Sequence, residues 1–241
     1  MRYGIISDIH GNGEALEVAV HHLESAAVDQ FVCVGDVVGY GADPNRCMDM
    51  VKELTDTIVA GNHDHAAIGL TDTGHFNQHA KASTVWTAQN LAAEHKKYIE
   101  VLPLTLRLEG ALVVHATPYH PQQWYYLLTH FQFVAAFQHF TERVCFLGHS
   151  HQPVVFEKGV NFAGPLPGTT FSLLDGSRYI INVGSVGQPR DRDPRLCCCI
   201  YDSGQKSVEL IRLEYDVAKA QEKIRKAGLP EFLAQRLARG E

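Results

Sequence analysis

The chain has 241 residues, of which 45% are hydrophobic and 20% charged, and its formal net charge is -6. These values are typical of a globular protein that forms a sizeable core without disulfides or a structural metal. The acidic balance argues against a protein that binds long nucleic acids, because that affinity comes mainly from Lys and Arg meeting phosphates.

The N-terminus and the cysteines predict a location for the protein. Met1 to Gly4 lead directly into a strand-like stretch and do not resemble a secretory leader. No apolar run approaches the roughly 20 residues of a membrane span. The six cysteines show neither CxxC spacing nor a disulfide framework, and Cys197 to Cys199 are predicted to lie in a buried strand. Reduced thiols without a leader indicate a cytoplasmic protein that does not associate with membranes.

The first half of the sequence alternates predicted strands and helices. The strands are expected in short apolar stretches at 3–7, 31–34, 57–60, 112–114 and 144–147. One helix is expected over 14–27, a second begins at the Asp43-Pro44 cap, and a third covers roughly 76–100. A fourth is expected over 124–140 from the helical spacing of Trp124, Leu127, Leu128, Phe131 and Val134.

The second half is predicted to be rich in β-structure. Short strand-like segments lie near 153–157, 169–174, 179–183, 196–202 and 207–214. Asp216 then begins a helix that ends near Gly228, and a last short helix follows. Because no Pro- or Ser-rich linker divides the chain, we expect one domain over 1–241 with a C-terminal helical extension at about 216–241.

Five polar motifs directly follow the predicted strands of the first half. They are Asp8-Ile9-His10, Gly35-Asp36, Gly61-Asn62-His63-Asp64, His115 and Gly148-His149-Ser150-His151. In open α/β sheets, ligands bind at the carboxyl ends of the strands, so these motifs are expected to meet at one edge. Asp and His supply oxygen and nitrogen ligands for Zn, Mn, Fe or Ni. Their number exceeds what one ion needs and favours two ions that share a carboxylate.

The other histidines carry no such signal. Five of the 14 histidines lie in the motifs, and the rest are interpreted as ordinary core or surface residues. Among them, His65, His75 and His120 are secondary candidates for the rim of the site.

In their order and placement, the motifs resemble those of the calcineurin-like metallophosphoesterase family over residues 3 to about 200. The resemblance implies an α/β fold, a four-layer sandwich of two mixed β-sheets flanked by helices. It also implies two metal sites that share Asp36. The first would be formed by Asp8, His10, Asp36 and His151, and the second by Asp36, Asn62, His115 and His149. His63 would be the acid that assists the leaving group, and Asp64 could orient its imidazole.

The sequence departs from the family pattern at two positions. The family often has a second Asp where this chain has Gly39, and often has a Gly where this chain has Ala116. Neither position belongs to the implied set of metal ligands. The departures therefore affect the surroundings of the metal site and leave its ligands complete.

Two further stretches, 39–44 and 182–191, resemble a small bacterial branch of the same family. Members of that branch look like phosphodiesterases or dinucleoside-polyphosphate hydrolases. Arg190 lies in the second stretch, after an irregular Gly/Pro loop, and its planar guanidinium suits a phosphate. The alternative for Arg190 is a salt bridge with Asp191 or Asp193. Asn62 is the second residue expected to contact substrate.

The leading hypothesis is a two-metal hydrolase of phosphate esters or anhydrides, a phosphodiesterase or phosphatase acting on a small nucleotide-type substrate. Two divalent ions are the expected cofactors, with Mn as the first expectation and Fe, Zn or Ni also compatible. An oligomer is compatible with the sequence but not indicated by it.

Two other functions fit parts of the pattern. One is a catalytically weak, metal-binding interaction scaffold with the same fold, and the other is a metal-dependent nuclease. The complete set of ligand positions, together with His63, favours an enzyme, and the acidic balance disfavours long nucleic acids. Trp124-Tyr125-Tyr126 could stack on a nucleobase, although their helical spacing favours a place in the core or an interface.

Overall fold

Ten strands form two five-stranded β-sheets in the described part of the chain, residues 1–159 and 170–241 of the computed structural model. In spatial order, the first sheet contains β2 (Gln30–Cys33), β1 (Arg2–Ile6), β9 (Leu196–Asp202), β10 (Ser207–Leu213) and β7 (Thr170–Ser172). The second contains β3 (Thr105–Leu108), β4 (Ala111–Val114), β5 (Val144–Leu147), β8 (Tyr179–Asn182) and β6 (Val154–Glu157). Both sheets mix parallel and antiparallel pairs.

Helices cover the outer faces of the sheets. Before the second sheet come α1 (Gly13–Ser25), α2 (Pro44–Leu54), α3 (Asn62–Ala67), α4 (Gln78–Asn90) and α5 (Ala93–Glu100). The later helices are α6 (His130–Ala136), α7 (Val217–Lys226) and α8 (Glu231–Leu237). A short 3₁₀ turn spans Pro121–Gln123. Among the described residues, no helix is long and apolar enough to span a bilayer.

The core follows from the alternation of side chains along each strand. Ile5 packs with Phe146 between the two sheets, whereas its neighbour Ile6 packs with Leu16 and Met48 under the helices. The cysteine run in β9 alternates in the same way, and its three thiols are buried and free, as predicted. The four-layer α/β sandwich expected from the sequence is confirmed.

Three predicted elements differ from the structure. The stretch 57–60 forms only an isolated parallel bridge between Ile58 and Cys33. The expected helix over 76–100 is divided into α4 and α5, because Leu91 and Ala92 adopt extended backbone conformations. The strand predicted at 169–174 is β7, and residue 169 lies outside the described residues.

The helix predicted over 124–140 is wrong for its first half. Trp124 has a left-handed backbone with φ of 55°, and the helix begins only after Thr129, whose side chain caps the N–H of Gln132. The expected apolar stripe is not the buried face, since Phe131 is 83% exposed while Phe133 is buried. The residues of the stripe at 124–128 therefore belong to a loop, where their side chains have other partners.

The C-terminal helices are attached to the N-terminal half by charge and by packing. Lys223 of α7 lies 2.7 Å from the buried carboxylate of Glu14 on α1 and also pairs with Asp43. Leu233 and Leu237 of α8 pack in an apolar cluster that includes Tyr40. This arrangement places α8 beside the loop that follows β2.

Candidate metal centre

The loops after β1, β2 and β5 place their polar side chains in an unusual backbone conformation. Five of these residues have a positive φ between 50° and 64°, namely Asp8, His10, Asp36, His149 and His151. This conformation is uncommon for residues other than Gly, and it persists only where the surroundings enforce it. Here the loops hold one another, since the N–H groups of Asp8 and His10 donate to the carbonyls of Gly35 and Asp36, both at 3.0 Å.

Two glycines allow these carboxylates to approach the neighbouring backbone. A Cβ on Gly61 would lie 2.1 Å from Oδ1 of Asp36, and one on Gly148 would lie 2.2 Å from Oδ2 of Asp8. Any larger residue at either position would displace the carboxylate. Gly35 has a different role, because its φ of 91° belongs to the left-handed region that favours Gly.

The first cluster of possible ligands contains Asp8, His10 and His151, whose donor atoms lie within 4.8 Å of one another. Nε2 of His151 lies 3.1 Å from Nε2 of His10 and 3.1 Å from Oδ1 of Asp8. Oδ2 of Asp36 is 3.6 Å from Nε2 of His10. All four side chains are buried. The four residues expected to hold the first metal therefore come together.

The second cluster contains Asp36, His115 and His149, again with donor atoms within 4.8 Å. Nε2 of His115 lies 3.2 Å from Oδ2 of Asp36 and 3.2 Å from Oδ1 of Asn62. The same oxygen of Asp36 thus faces both clusters. This is the position expected for a carboxylate shared by two ions.

The orientation of the imidazoles is fixed by backbone carbonyls. Nδ1 of His10 lies 3.0 Å from the carbonyl of Val38, and Nδ1 of His151 lies 2.5 Å from that of Gln188. A carbonyl only accepts hydrogen bonds, so Nδ1 carries the proton and Nε2 is left with its lone pair. The same carbonyl contact is made by Nδ1 of His115 with Val34, at 2.8 Å.

These lone pairs make the site suitable for cations. The two Nε2 atoms of His10 and His151 face each other at 3.1 Å, beside the carboxylate of Asp8. Oδ2 of Asp36 is buried and accepts no well-aligned hydrogen bond from the described residues. Electron-pair donors of this kind, turned toward one another without hydrogens between them, match divalent metal ions that take nitrogen and oxygen ligands.

The pKa values of the buried residues also favour a bound cation. Although burial raises the pKa of Asp36, the nearby His115 and His63 hold it well below its usual value. Burial lowers the pKa of His10 well below its usual range, so this ring stays neutral. Although burial lowers the pKa of His115, the Asp36 carboxylate raises it to about 9. The centre thus keeps Asp36 ionised, and a metal would displace the proton of His115.

Asp64 supports the backbone of the site. Its two carboxylate oxygens accept hydrogen bonds from the N–H groups of Asp36 at 2.8 Å, Gly61 at 2.9 Å and Val38 at 3.1 Å. Burial and the nearby Asp36 raise the pKa of Asp64 to about 7. The expectation that Asp64 orients the imidazole of His63 is not met in the described residues, because backbone donors occupy the carboxylate.

His63 lies at the mouth of the two clusters. Its ring is 5.0 Å from that of His10 and 4.4 Å from that of Tyr40, measured between centroids. Nδ1 of His63 is buried and has no hydrogen-bond partner among the described residues. A Cβ on Gly39 would lie 2.9 Å from this atom, so the Asp of the family pattern does not fit beside His63 in this arrangement. Burial lowers the pKa of His63 to about 4.

Arg190 does not form the salt bridge that was its alternative. Asp191 pairs with Arg212, and Asp193 pairs with Arg195 at 2.6 Å. Arg190 donates instead to Oε1 of Gln188 at 2.9 Å, and its guanidinium lies 5.5 Å from the centre of the Tyr40 ring. Its charge also contributes to lowering the pKa of His63 and of His151, where burial is the larger cause.

An aromatic cavity of about 480 Å³ opens beside the clusters. Its walls include His63, Tyr40, Phe76, Trp124, Tyr125 and Tyr126. The ring of Tyr126 stacks on His149 at 4.0 Å, and the carbonyl of Trp124 accepts a hydrogen bond from Nε2 of His149 at 2.9 Å. The loop 124–126 therefore forms a wall of the site and orients one of its histidines.

Sequence reasoning missed several residues of this cavity. Of the candidates for the rim, His75 lines the cavity. His65 does not line it and packs edge-on against Trp124, with the ring centroids 5.5 Å apart. Tyr40 lies in the stretch 39–44, which resembles the small bacterial branch of the family. Its contact with His63 was not predicted. Phe76 carried no signal, because it reaches the site through tertiary packing alone.

Comparison with known proteins defines the class. Residues 1–206 match the calcineurin-like phosphoesterase superfamily domain, so the chain belongs to this family. It is 37% identical over 240 residues to an uncharacterized protein of Methanocaldococcus jannaschii, covering 98% of this chain and 97% of that protein.

Solved structures agree with this assignment. A metallophosphoesterase from Sphaerobacter thermophilus is 39% identical, with a TM-score of 0.91 over 100% of this chain and 99% of that one. A hypothetical protein from Pyrococcus horikoshii OT3 shares the fold at 19% identity, with a TM-score of 0.82 over 100% and 98% of the two chains. The protein is a phosphoester hydrolase of the calcineurin-like family, as the sequence led us to expect.

Proposed function

We propose that the protein hydrolyses a phosphodiester or phosphoanhydride bond in a small nucleotide-type substrate and uses two divalent ions as cofactors. Mn is the metal expected first. Asp8, His10, Asp36 and His151 would hold one ion, and Asp36, Asn62, His115 and His149 the other. The observation that carries the proposal is the aromatic cavity of about 480 Å³ that opens onto the second cluster at Asn62 and His149. A phosphate at the clusters would place an attached nucleoside in this cavity.

The bound ions would supply an activated water and neutralise charge on the phosphoryl group. The chain itself supplies the remaining functions. Asn62 reaches the second cluster through its amide oxygen, so its side chain lies where a phosphate would enter. His63 would give a proton to the leaving group once the negative charge of a bound phosphate favours its protonated form, and Arg190 would bind a phosphate oxygen.

The walls of the cavity suit a nucleobase. Tyr125 and Tyr126 are 50% and 44% exposed, and Phe76 and Tyr40 stand close to the ring of His63. Stacking of a base on an aromatic side chain contributes about 1–3 kcal/mol and tolerates any base. This supports the nucleobase interpretation for Tyr125 and Tyr126, whereas Trp124 is buried and has a structural role.

A substrate panel tests the proposal. The purified protein, supplied with Mn, would be assayed with a dinucleoside polyphosphate, a cyclic nucleotide, a nitrophenyl ester of a nucleotide, nitrophenyl phosphate and a phosphoprotein. We expect the highest kcat/KM for substrates that carry a nucleoside on a diester or anhydride. Equal or better turnover of the phosphoprotein or of nitrophenyl phosphate would contradict the nucleotide assignment.

Arg190→Ala should reduce kcat/KM without changing metal content. A charge-assisted bidentate contact contributes about 1.5–3 kcal/mol, which corresponds to a loss of about 10- to 150-fold. Steady-state kinetics and metal analysis would be compared with those of Arg195→Ala. Arg195 lies nearby in sequence but is paired with Asp193, so its replacement should leave kinetics unchanged. If both variants behaved alike, Arg190 would have no part in substrate binding.

A further inference from the structure

The helix α8 places a second guanidinium near the candidate metal centre. The Cζ atom of Arg236 lies 6.0 Å from the centre of the Tyr40 ring, and that of Arg190 lies 5.5 Å from the same point. The Tyr40 ring is in turn 4.4 Å from His63 and 4.7 Å from His10. Arg236 lies outside residues 1–206, the part of the chain that matches the family domain.

The position of Arg236 is set by packing. Its neighbours Leu233 and Leu237 are buried in the cluster that contains Tyr40. Helix α7, which packs against α8, is held by the ion pair between Lys223 and Glu14 at 2.7 Å. The packing of α8 therefore places the guanidinium of Arg236 close to Tyr40.

Neither Arg190 nor Arg236 meets a carboxylate side chain among the described residues. Arg236 donates to the backbone oxygen of Glu241, and Arg190 donates to the amide of Gln188. The acidic side chains close by in sequence pair elsewhere: Asp191 with Arg212, Asp193 with Arg195, Glu231 with Arg225, and Glu241 with Arg239. Arg190 thus has no acidic partner among the described residues, whereas the charge of Arg236 is offset in part by Glu241.

The positive charges of Arg190 and Arg236 oppose each other. Both guanidinium groups are half-buried, and like charges at short range repel. Burial, followed by the charge of Arg190, lowers the pKa of Arg236 to about 10. Arg236 still carries its charge at neutral pH, so an anion bound between the two groups would offset their repulsion and accept charge-assisted hydrogen bonds.

We propose that Arg190 and Arg236 form an anion subsite that binds a second phosphate of the substrate. The enzyme then prefers substrates in which the scissile phosphate is linked to at least one more, as in nucleoside or dinucleoside polyphosphates. The inference rests on the proposed function and names its substrate class. It gives the C-terminal helices a direct part in substrate binding.

Competition between two nucleotides tests the subsite. AMP and ATP would be measured as competitive ligands against hydrolysis of bis(nitrophenyl) phosphate, at a fixed concentration of free Mn. In Arg236→Gln the inhibition constant of ATP should rise about tenfold or more, while that of AMP stays nearly unchanged, because only ATP reaches the subsite. Arg239→Gln is the matched control, since Arg239 follows α8, is exposed and pairs with Glu241. An equal change for both nucleotides, or none for ATP, would overturn the proposal.

A binding measurement separates the subsite from catalysis. The wild type, Arg236→Gln and Arg239→Gln would each be titrated calorimetrically with inorganic tripolyphosphate and with inorganic phosphate. Of the two variants, only Arg236→Gln should bind tripolyphosphate more weakly than the wild type. If the wild type hydrolyses no phosphodiester but this difference is seen, the proposed function fails and the subsite stands. If hydrolysis is normal and both proteins bind tripolyphosphate alike, the subsite fails and the proposed function stands.

Discussion

Asp36→Asn is expected to weaken both metal sites together and to abolish hydrolysis. Oδ2 of Asp36 is 3.6 Å from Nε2 of His10 in one cluster and 3.2 Å from Nε2 of His115 in the other. Oδ1 accepts the N–H of His63 at 2.7 Å, so the oxygen of an amide would keep that bond. The amide NH₂ would then point at the imidazole lone pairs, where it replaces a ligand with a hydrogen-bond donor.

The size of the effect follows from the position of Asp36. Loss of an outer partner of a metal ligand already reduces affinity about 10- to 100-fold, and a shared carboxylate should exceed this for both ions. Metal analysis of the purified variant measures the result directly. Asp8→Asn is the informative comparison, because Asp8 lies in the first cluster only and should weaken one ion far more than the other. Two tightly bound ions and full activity in Asp36→Asn would overturn the shared-carboxylate assignment.

The convergence of the ligand motifs could be predicted from the sequence because it follows from strand topology. β1 pairs with β2 in parallel, and β4 pairs with β5 in parallel, so the loops after these strands emerge at the same edge of each sheet. Asp8, Asp36, His115 and His149 come directly after those strands. Local sequence therefore determines their placement, and even the poorly formed strand at 57–60 does not disturb it.

The rest of the site depends on contacts between distant segments. Helical spacing gave Trp124 the wrong conformation, because its carbonyl is used by His149 and its indole N–H by Thr71 at 3.0 Å. Such partners lie far away in the sequence and leave no periodic signal. Arg236 is a similar case, since only the docking of α8 on Tyr40 brings it near the centre. The role expected of Asp64 was not predicted correctly either, because its carboxylate accepts hydrogen bonds from backbone N–H groups and not from His63.

His63→Gln is expected to lower kcat while both metals and substrate binding are kept. The side chain of His63 makes no hydrogen bond to a proposed metal ligand among the described residues: Nδ1 is unpaired, and the ring packs against His10, Tyr40 and Phe76. Gln has nearly the same reach and can donate a hydrogen bond, but it cannot give up a proton. Loss of a general acid typically costs about 10²- to 10⁴-fold in rate.

The dependence on the leaving group distinguishes an acid from a structural residue. A nitrophenolate leaves without being protonated, whereas an alkoxide needs a proton, so the defect of His63→Gln should be much larger on an alkyl phosphodiester than on its nitrophenyl analogue. The measurement is kcat for both substrates in the wild type and the variant, with metal content determined for each protein. His65→Gln serves as the control, because His65 packs against Trp124, does not line the cavity and should affect both substrates little. Equal defects on the two substrates, or loss of metal from His63→Gln, would show that His63 maintains the site and does not transfer the proton.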